Sequence, residues 1–491
     1  MTSAGTPDPD EGLIDLADQR YQHGEWSAAL LLYTGLQRRQ STSAIARGVP
    51  IALAHCLLEL HADADPTALA RDLVPPVPGA ARSARAGYLR VRALLACRDR
   101  DYARALRLLM FVAAFDFSLS TTYIESFLKG RTGCWERDPA AASDEPGFLA
   151  HHRWTDAEID ALKRRFRDQR ILIVMPWSAP YMMGDYYFRT ARAFGLTPRI
   201  LDHGAWLTGV DPVRAAGRIA REIDAFRPDI VIMGSVSELG FSPQATDAAI
   251  EAVGAVFQAA RKAHGTRVVV SFGDAWMLPL ERVTQGLGRT FDLLHHTHPL
   301  LQHTTPRLQA PDVYCYFHPI VTAPTTVEPG SVPHARMIGS VNFSNTARLI
   351  WWAAAGQSKL PIEVIETAVE GELKLTPERY ADLLRESRFI INLSRRATGV
   401  SIITGRTIEA LSAGGVLVEE DSFDTRYFLT PGIHYMPFLT WTDLCELVPM
   451  LLGDADRRRR LARDGQRWVQ RHFSGDWYWA GLLDRLQRLS I

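Results

Sequence analysis

YADLLRESRFIINLSRRATGVSIITGRTIEALSAGGVLVEEDSFDTRYFLTPGIHYMPF, residues Tyr380–Phe438, decides the fold. An amphipathic helix leads into an apolar run that ends at Asn392. A polar loop follows, and a second helix opens at Thr404-Gly405-Arg406. After Ala-Gly-Gly come two more short apolar runs, VLVEE and HYMPF. Continuous apolar strands separated by helices predict a parallel sheet buried on both faces, in the doubly wound arrangement. In such sheets ligands bind beyond the carboxyl ends of the strands, where Asn392, Ser394, Arg395 and Arg396 lie.

This stretch resembles the C-terminal domain of GT-B glycosyltransferases, and within them the spore-maturation CgeB-like group. A strand ending in Asn392, a loop, and Arg406-x-x-Glu409 opening a helix carry the resemblance. It is motif-specific over Arg388–Phe438 and extends in layout over Arg170–His472. It implies a metal-independent transferase with no cofactor beyond a nucleotide-diphosphate sugar as co-substrate. The donor-binding residues implied are Asn392, Arg395, Thr404, Gly405, Arg406 and Glu409, with Ser340 near the end of the strand ARMIGSV (Ala335–Val341) and Arg348 after it. Ser401 stands where many retaining members carry a second glutamate, eight residues before the ribose-binding one.

Physical chemistry supports those roles. A helix entrance offers amide N–H groups without intrahelical partners and the positive end of a dipole, both suited to a diphosphate. Thr404 can cap the helix, and Gly405 lets a ligand approach the backbone. Arg406 presents a fixed guanidinium fork to phosphate oxygens. Glu409, one turn deeper, can accept hydrogen bonds from both ribose hydroxyls. The structural alternative is an i, i+3 surface ion pair between Arg406 and Glu409.

Toward the N-terminus the same alternation continues. RILIVMPW (Arg170–Trp177), PDIVIMGS (Pro228–Ser235), TRVVVSFGD (Thr266–Asp274), FDLLHHTH (Phe291–His298) and DVYCYFHP (Asp312–Pro319) read as strands of a first sheet. PIVTAPTTVEPGSVPH (Pro319–His334) joins it to the second. Acceptor and base residues belong on loops after the first sheet's strands, where Asp185, Asp274 and His295 are the catalytic candidates. Asp274 could instead cap the next helix. The histidines His295, His296 and His298 invite a metal, but adjacent residues on a strand face opposite ways.

Residues 11–130 carry Ala, Leu and Arg at helical spacing. Trp26, Ala29 and Leu30 in one segment align with Tyr102, Ala105 and Leu106 in another, an offset of 102 − 26 = 76 residues. That is near two helix-turn-helix units of about 34 residues, and resembles tetratricopeptide repeats. A degenerate unit around Ile51–Leu60 would lie between them. The predicted organisation is a helical-repeat domain (1–130), a linker and connecting helix (131–169), an N-terminal Rossmann-like acceptor domain (170–325) and a C-terminal Rossmann-like donor domain with terminal crossing helices (326–491).

Lys plus Arg and Asp plus Glu each total 55, so no global field steers the chain toward nucleic acid. The five cysteines lack CxxC spacing, and the polar start MTSAGTPDPDEG is unlike an export signal. A cytoplasmic protein without a membrane span is expected. The expected function is transfer of a sugar from a nucleotide-sugar donor to a protein or glycan acceptor, with self-association or a protein partner engaged through the repeats. The alternatives are a non-catalytic repeat-bearing adaptor, or a nucleotide-sugar epimerase or phosphorylase on the same fold.

Overall fold

The computed structural model describes residues 10–22, 25–38, 89–93, 95–97, 99–115, 146–150, 153–175, 183–202, 212–234, 243–272, 290–299, 312–321, 332–339, 346–366, 368–369, 372–373, 375–397 and 400–489. Asp274, Ser340, the join near residue 325 and the degenerate repeat unit lie outside them.

The first sheet comprises β1 (Arg170–Met175), β2 (Thr197–Asp202), β3 (Ile230–Met233), β4 (Arg267–Phe272), β5 (Leu293–His296) and β6 (Val313–Cys315). All its pairings are parallel, in the order β2-β1-β3-β4-β5-β6. Period-2 alternation sends Ile171, Ile173 and Met175 into one core and Leu172 and Val174 into another, so both faces are buried. Helices Pro212–Phe226 and Pro243–His264 cover the second face. Strand β2 is absent from the sequence reading. It is an edge strand carrying Pro198 and Arg199 and is mostly not buried, so it lacks the apolar run of its neighbours.

The second sheet comprises β7 (Ala335–Gly339), β8 (Ile362–Glu366), β11 (Phe389–Asn392), β14 (Val416–Glu420) and β15 (Met436–Phe438), all parallel, in the order β15-β14-β11-β7-β8. Two small antiparallel pairs stand beside it, β9 (Ala368–Val369) with β10 (Glu372–Leu373) and β12 (Arg395–Ala397) with β13 (Val400–Ser401). Each large sheet starts centrally, steps outward once and then reverses, so each has a switch point: between β1 and β3, and between β7 and β11.

The three terminal helices run Trp441–Gly453, Ala455–His472 and Gly475–Arg488. The last crosses back to the first sheet. Tyr478 and Trp479 are fully buried there, Trp479 Nε1 donates to Thr190 Oγ1 at 3.0 Å, and Tyr314 donates to the Tyr478 carbonyl at 3.1 Å. Where a Cβ on Gly475 or Gly481 would stand, Thr190 and the Tyr314 hydroxyl lie within 2.4 and 2.5 Å, so both glycines permit the close approach. Phe148, within the stretch read as linker and connecting helix, is also core. It is fully buried among Tyr316, Phe428, Trp468 and Phe473.

In the N-terminal part, helices Glu11–Gln22 and Trp26–Arg38 pack together around Ile14, Ala17, Ala29, Tyr33 and Leu36. The aligned segments both form helices, starting at Trp26 and Tyr102, with Ala29 and Ala105 buried. Helix Tyr102–Phe115 docks on helix Thr346–Gln357 of the second sheet, placing Ala93 and Leu109 in one core with Leu349, Ile350 and Trp351.

This docking depends on Gly356, because a Cβ there would stand 2.2 Å from Tyr102 Cζ. Gly356→Ala is expected to destabilise the protein by about 1–3 kcal/mol through overpacking. Adding Tyr102→Ala should relieve the clash, so the pair will be non-additive in a denaturant double-mutant cycle.

Candidate active site

The second sheet's switch point is built from three backbone decisions. β7 ends at Gly339, β11 ends beside it at Asn392, and the helix Gly405–Ser412 opens next to both. Asn392 is directly opposite Glu419 of β14 in the strand register. Their side chains meet: Asn392 Nδ2 donates to Glu419 Oε2 at 2.9 Å and lies 2.9 Å from Thr404 Oγ1. Asn392 Oδ1 accepts from Arg406 Nη1 at 3.2 Å. Asn392 is fully buried, so its place is beneath Arg406, holding it.

Arg406 lies against Gly339, its Nη1 3.3 Å from where a Cβ would stand, and Arg348 Nη1 reaches to 3.8 Å of the same point. Two guanidinium groups therefore meet over one glycine at the carboxyl end of β7. Arg406 Nε is buried and has no hydrogen-bond partner among the described residues. Thr404 has extended backbone and precedes the helix, but its hydroxyl faces Asn392, and its N–H donates to Thr407 Oγ1 at 3.3 Å. Of the first-turn amides, that of Thr407 donates to the Thr404 carbonyl at 3.1 Å, while those of Gly405 and Arg406 have no intrahelical acceptor.

Glu409 makes no ion pair with Arg406. Its carboxylate lies over Gly405, with Oε1 3.6 Å from the Cβ position there. Oε2 accepts from Tyr380 at 2.9 Å, and Oε1 accepts from Tyr186 at 2.9 Å. Tyr186 belongs to helix Met183–Phe194, which follows β1 at the first sheet's own switch point. The two switch points face each other across this bond. Burial first, and then the Glu409 charge, push both phenols well above the usual tyrosine value, so each keeps its proton and donates. Tyr380 also bonds to Arg406.

Glu419 is fully buried. Desolvation, and secondarily the charge of Glu420, push it up to about 8 against the hydrogen bonds of Asn392 and Thr407 and the charge of Arg406. Arg406 is therefore held by neutral groups: an amide, a phenol and, nearby, a carboxyl that is largely protonated at neutral pH.

Of the catalytic candidates, Asp185 is buried in the first turn of the Tyr186 helix, 3.3 Å from Arg189. His295 is fully buried. Its Nε2 faces the Tyr316 carbonyl at 3.0 Å, and its Nδ1 faces Ser271 Oγ at 2.7 Å and the Tyr187 hydroxyl at 3.2 Å. Desolvation, then His318 and His296, hold the ring well below the usual histidine value. With both nitrogens engaged and no surface exposed, His295 has the geometry of an interior packing residue. Among the described residues no group of three or more His, Cys, Asp or Glu is placed to hold a metal ion. Arg395 lies in β12, beyond the end of β11.

Residues 336–484 match the family model described as glycosyl transferase-like. This glycosyl transferase-like region contains Arg348, Asn392, Arg406, Glu409 and Glu419. Among solved structures, an alpha-glucosyltransferase in complex with UDP-glucose and DNA containing an abasic site is similar at 14% identity and a TM-score of 0.46, over 65% of this chain and 100% of that one. The Anabaena protein HepE, in complex with UDP and glucose, is similar at 9% identity and 0.43, over 66% and 100%. A Thermobaculum terrenum O-GlcNAc transferase aligns over 99% of this chain and 98% of its own, at 12% identity and 0.44. No curated protein matches the chain. Among the described residues no helix is long and apolar enough to cross a membrane.

Sequence reasoning missed Tyr186, Tyr380 and Glu419. Only Glu419 carries a signal: an acid ending a fully apolar strand must find partners or a proton. Because its folded pKa is raised, the folded state binds a proton more tightly between about pH 4.5 and 8, and stability falls as pH rises through that window. Relative to wild type, Glu419→Gln should gain up to about 1.4 kcal/mol per pH unit inside the window and no more above it. Melting temperature against pH measures this.

Proposed function

We propose that the protein is a glycosyltransferase that holds the diphosphate of a nucleotide-sugar donor at the Gly339–Arg406 turn and transfers the sugar to an acceptor bound beside the first sheet. The observation that carries this reading is the meeting of Arg406 and Arg348 over Gly339 at a switch point, beside a helix entrance and one turn from Glu409. A diphosphate brings negative charge to a place with two guanidinium groups, backbone donors and, among the described residues, no acid ion-paired with Arg406. The glycosyl transferase-like family match covers these residues and supports the chemistry.

In this reading Glu409 receives the donor's ribose, while Asn392 and Glu419 are positioning residues acting through Arg406. Thr404 serves the same network. Gly405 keeps the entrance open, and Ser340 and Arg395 keep the donor-binding roles that the family resemblance implies. An inverting transfer needs a base for the acceptor hydroxyl, a role that falls to Asp185 or Asp274; the packing of His295 favours a structural role. The bound diphosphate leaves with the charge of the broken sugar–phosphate bond, which the guanidinium groups and helix dipole stabilise without a metal. The helices of residues 11–38 form their own small core, so the tetratricopeptide-like part is the region available for a protein partner or acceptor.

Calorimetric titration of the full chain with UDP, GDP, ADP and TDP should find one nucleotide that binds. Arg406→Ala should weaken that binding by about tenfold or more, the effect of a lost charged hydrogen bond. Absence of binding to all four would overturn the proposal. Gly339→Ala crowds Arg406 without touching the core and should weaken binding by about two- to tenfold while leaving melting temperature nearly unchanged. A mass-spectrometric product assay separates transfer from epimerisation.

A further inference from the structure

Both oxygens of Glu409 accept hydrogen bonds from tyrosines, and the two donors differ in origin. Tyr380 comes from helix Pro377–Glu386 of the donor domain itself, whereas Tyr186 comes from the opposite sheet, 223 residues away in sequence. A phenol and a ribose hydroxyl are the same kind of donor to a carboxylate oxygen. Glu409 Oε1 is the oxygen turned toward the other domain and toward Gly405, where the donor turn opens.

Resting on the donor-site reading above, we infer that Tyr186 is a specificity-setting residue for donor binding. Its hydroxyl occupies the position on Glu409 Oε1 that a ribose hydroxyl takes, and a donor binds by displacing it. The displacement is a side-chain rotation, because the helix that carries Tyr186 is clamped from behind. Tyr478 donates to Tyr187 at 3.1 Å, Trp479 donates to Thr190 at 3.0 Å, and Thr190 packs on Gly475. Tyr380 stays in place and keeps the carboxylate oriented through Oε2.

The exchange makes the site selective for donors whose sugar-bearing nucleotide has ribose hydroxyls, since only these replace the hydrogen bond that is given up. It also links donor occupancy to the acceptor side, because Asp185 precedes Tyr186 in the same helix and its charge acts on that phenol. Binding linkage is reciprocal, so an acceptor that takes up the Tyr186 hydroxyl will tighten donor binding.

The test is calorimetry on the full chain with the nucleoside diphosphate that wild type binds best and with its 2′,3′-dideoxy analogue. Tyr186→Phe removes the competing hydroxyl and keeps the ring. It should bind the ribonucleotide about three- to tenfold more tightly than wild type, with no such gain for the dideoxy analogue. Tyr380→Phe should weaken ribonucleotide binding. Unchanged or weaker ribonucleotide binding by Tyr186→Phe, or an equal gain with both nucleotides, overturns the competition while leaving the donor site standing. A wild-type chain that binds no nucleotide overturns the donor site itself and this inference with it.

Discussion

The second sheet's switch point is organised around Arg406, whose hydrogen-bond partners among the described residues are neutral groups. The residue touching its guanidinium from below is Asn392, a neutral amide. The phenol of Tyr380 is a second neutral partner. Glu419, whose charge interacts with Arg406, is fully buried, and desolvation pushes it up to about 8. Its oxygens hold Asn392 instead, so the acid orients the arginine without neutralising it. Parallel pairing of β11 with β14 makes this possible, since it sets Asn392 and Glu419 side by side in register.

That local arrangement needs a rigid frame, and both ends of the chain contribute. The crossing C-terminal helix joins the two sheets through Tyr478, Trp479 and Gly475, fixing the helix that presents Tyr186 to Glu409. On the far side, the Tyr102–Phe115 helix packs on the helix that carries Arg348. A buried His298–Asp424 contact at 3.6 Å adds a further tie between the strand ends of the first sheet and the second domain.

The sheets were legible because strands buried on both faces are written as short apolar runs, as in ILIVM and FIIN. β2 was not legible, since an edge strand with one exposed face has no need of such a run. The helix entrance at Gly405 was legible because a Thr-Gly-Arg sequence uses residue types suited to a helix start for local backbone reasons. Tyr186 and Tyr380 were not, because each meets Glu409 from 223 and 29 residues away and nothing in a local window distinguishes them from packing residues, while the acid of Glu419 in an apolar strand signals only that it needs a partner, not that the partner is Asn392, 27 residues away. His295 shows the converse: a residue type suited to catalysis that the fold places in the interior, with every ring nitrogen satisfied.

Taken alone, the order of residues determined the two doubly wound sheets, the three terminal helices, and the turn where Arg406 and Glu409 begin a helix, because these depend on periodicity and on short-range backbone preference. Tertiary structure alone decided that Arg348 meets Arg406 over Gly339, that Asn392 supports Arg406 from below, and that Glu409 faces a tyrosine of the opposite domain. Such relations depend on strand register and on where two switch points come to rest in space, and contacts between distant segments leave no spacing in the chain by which they could be recognised.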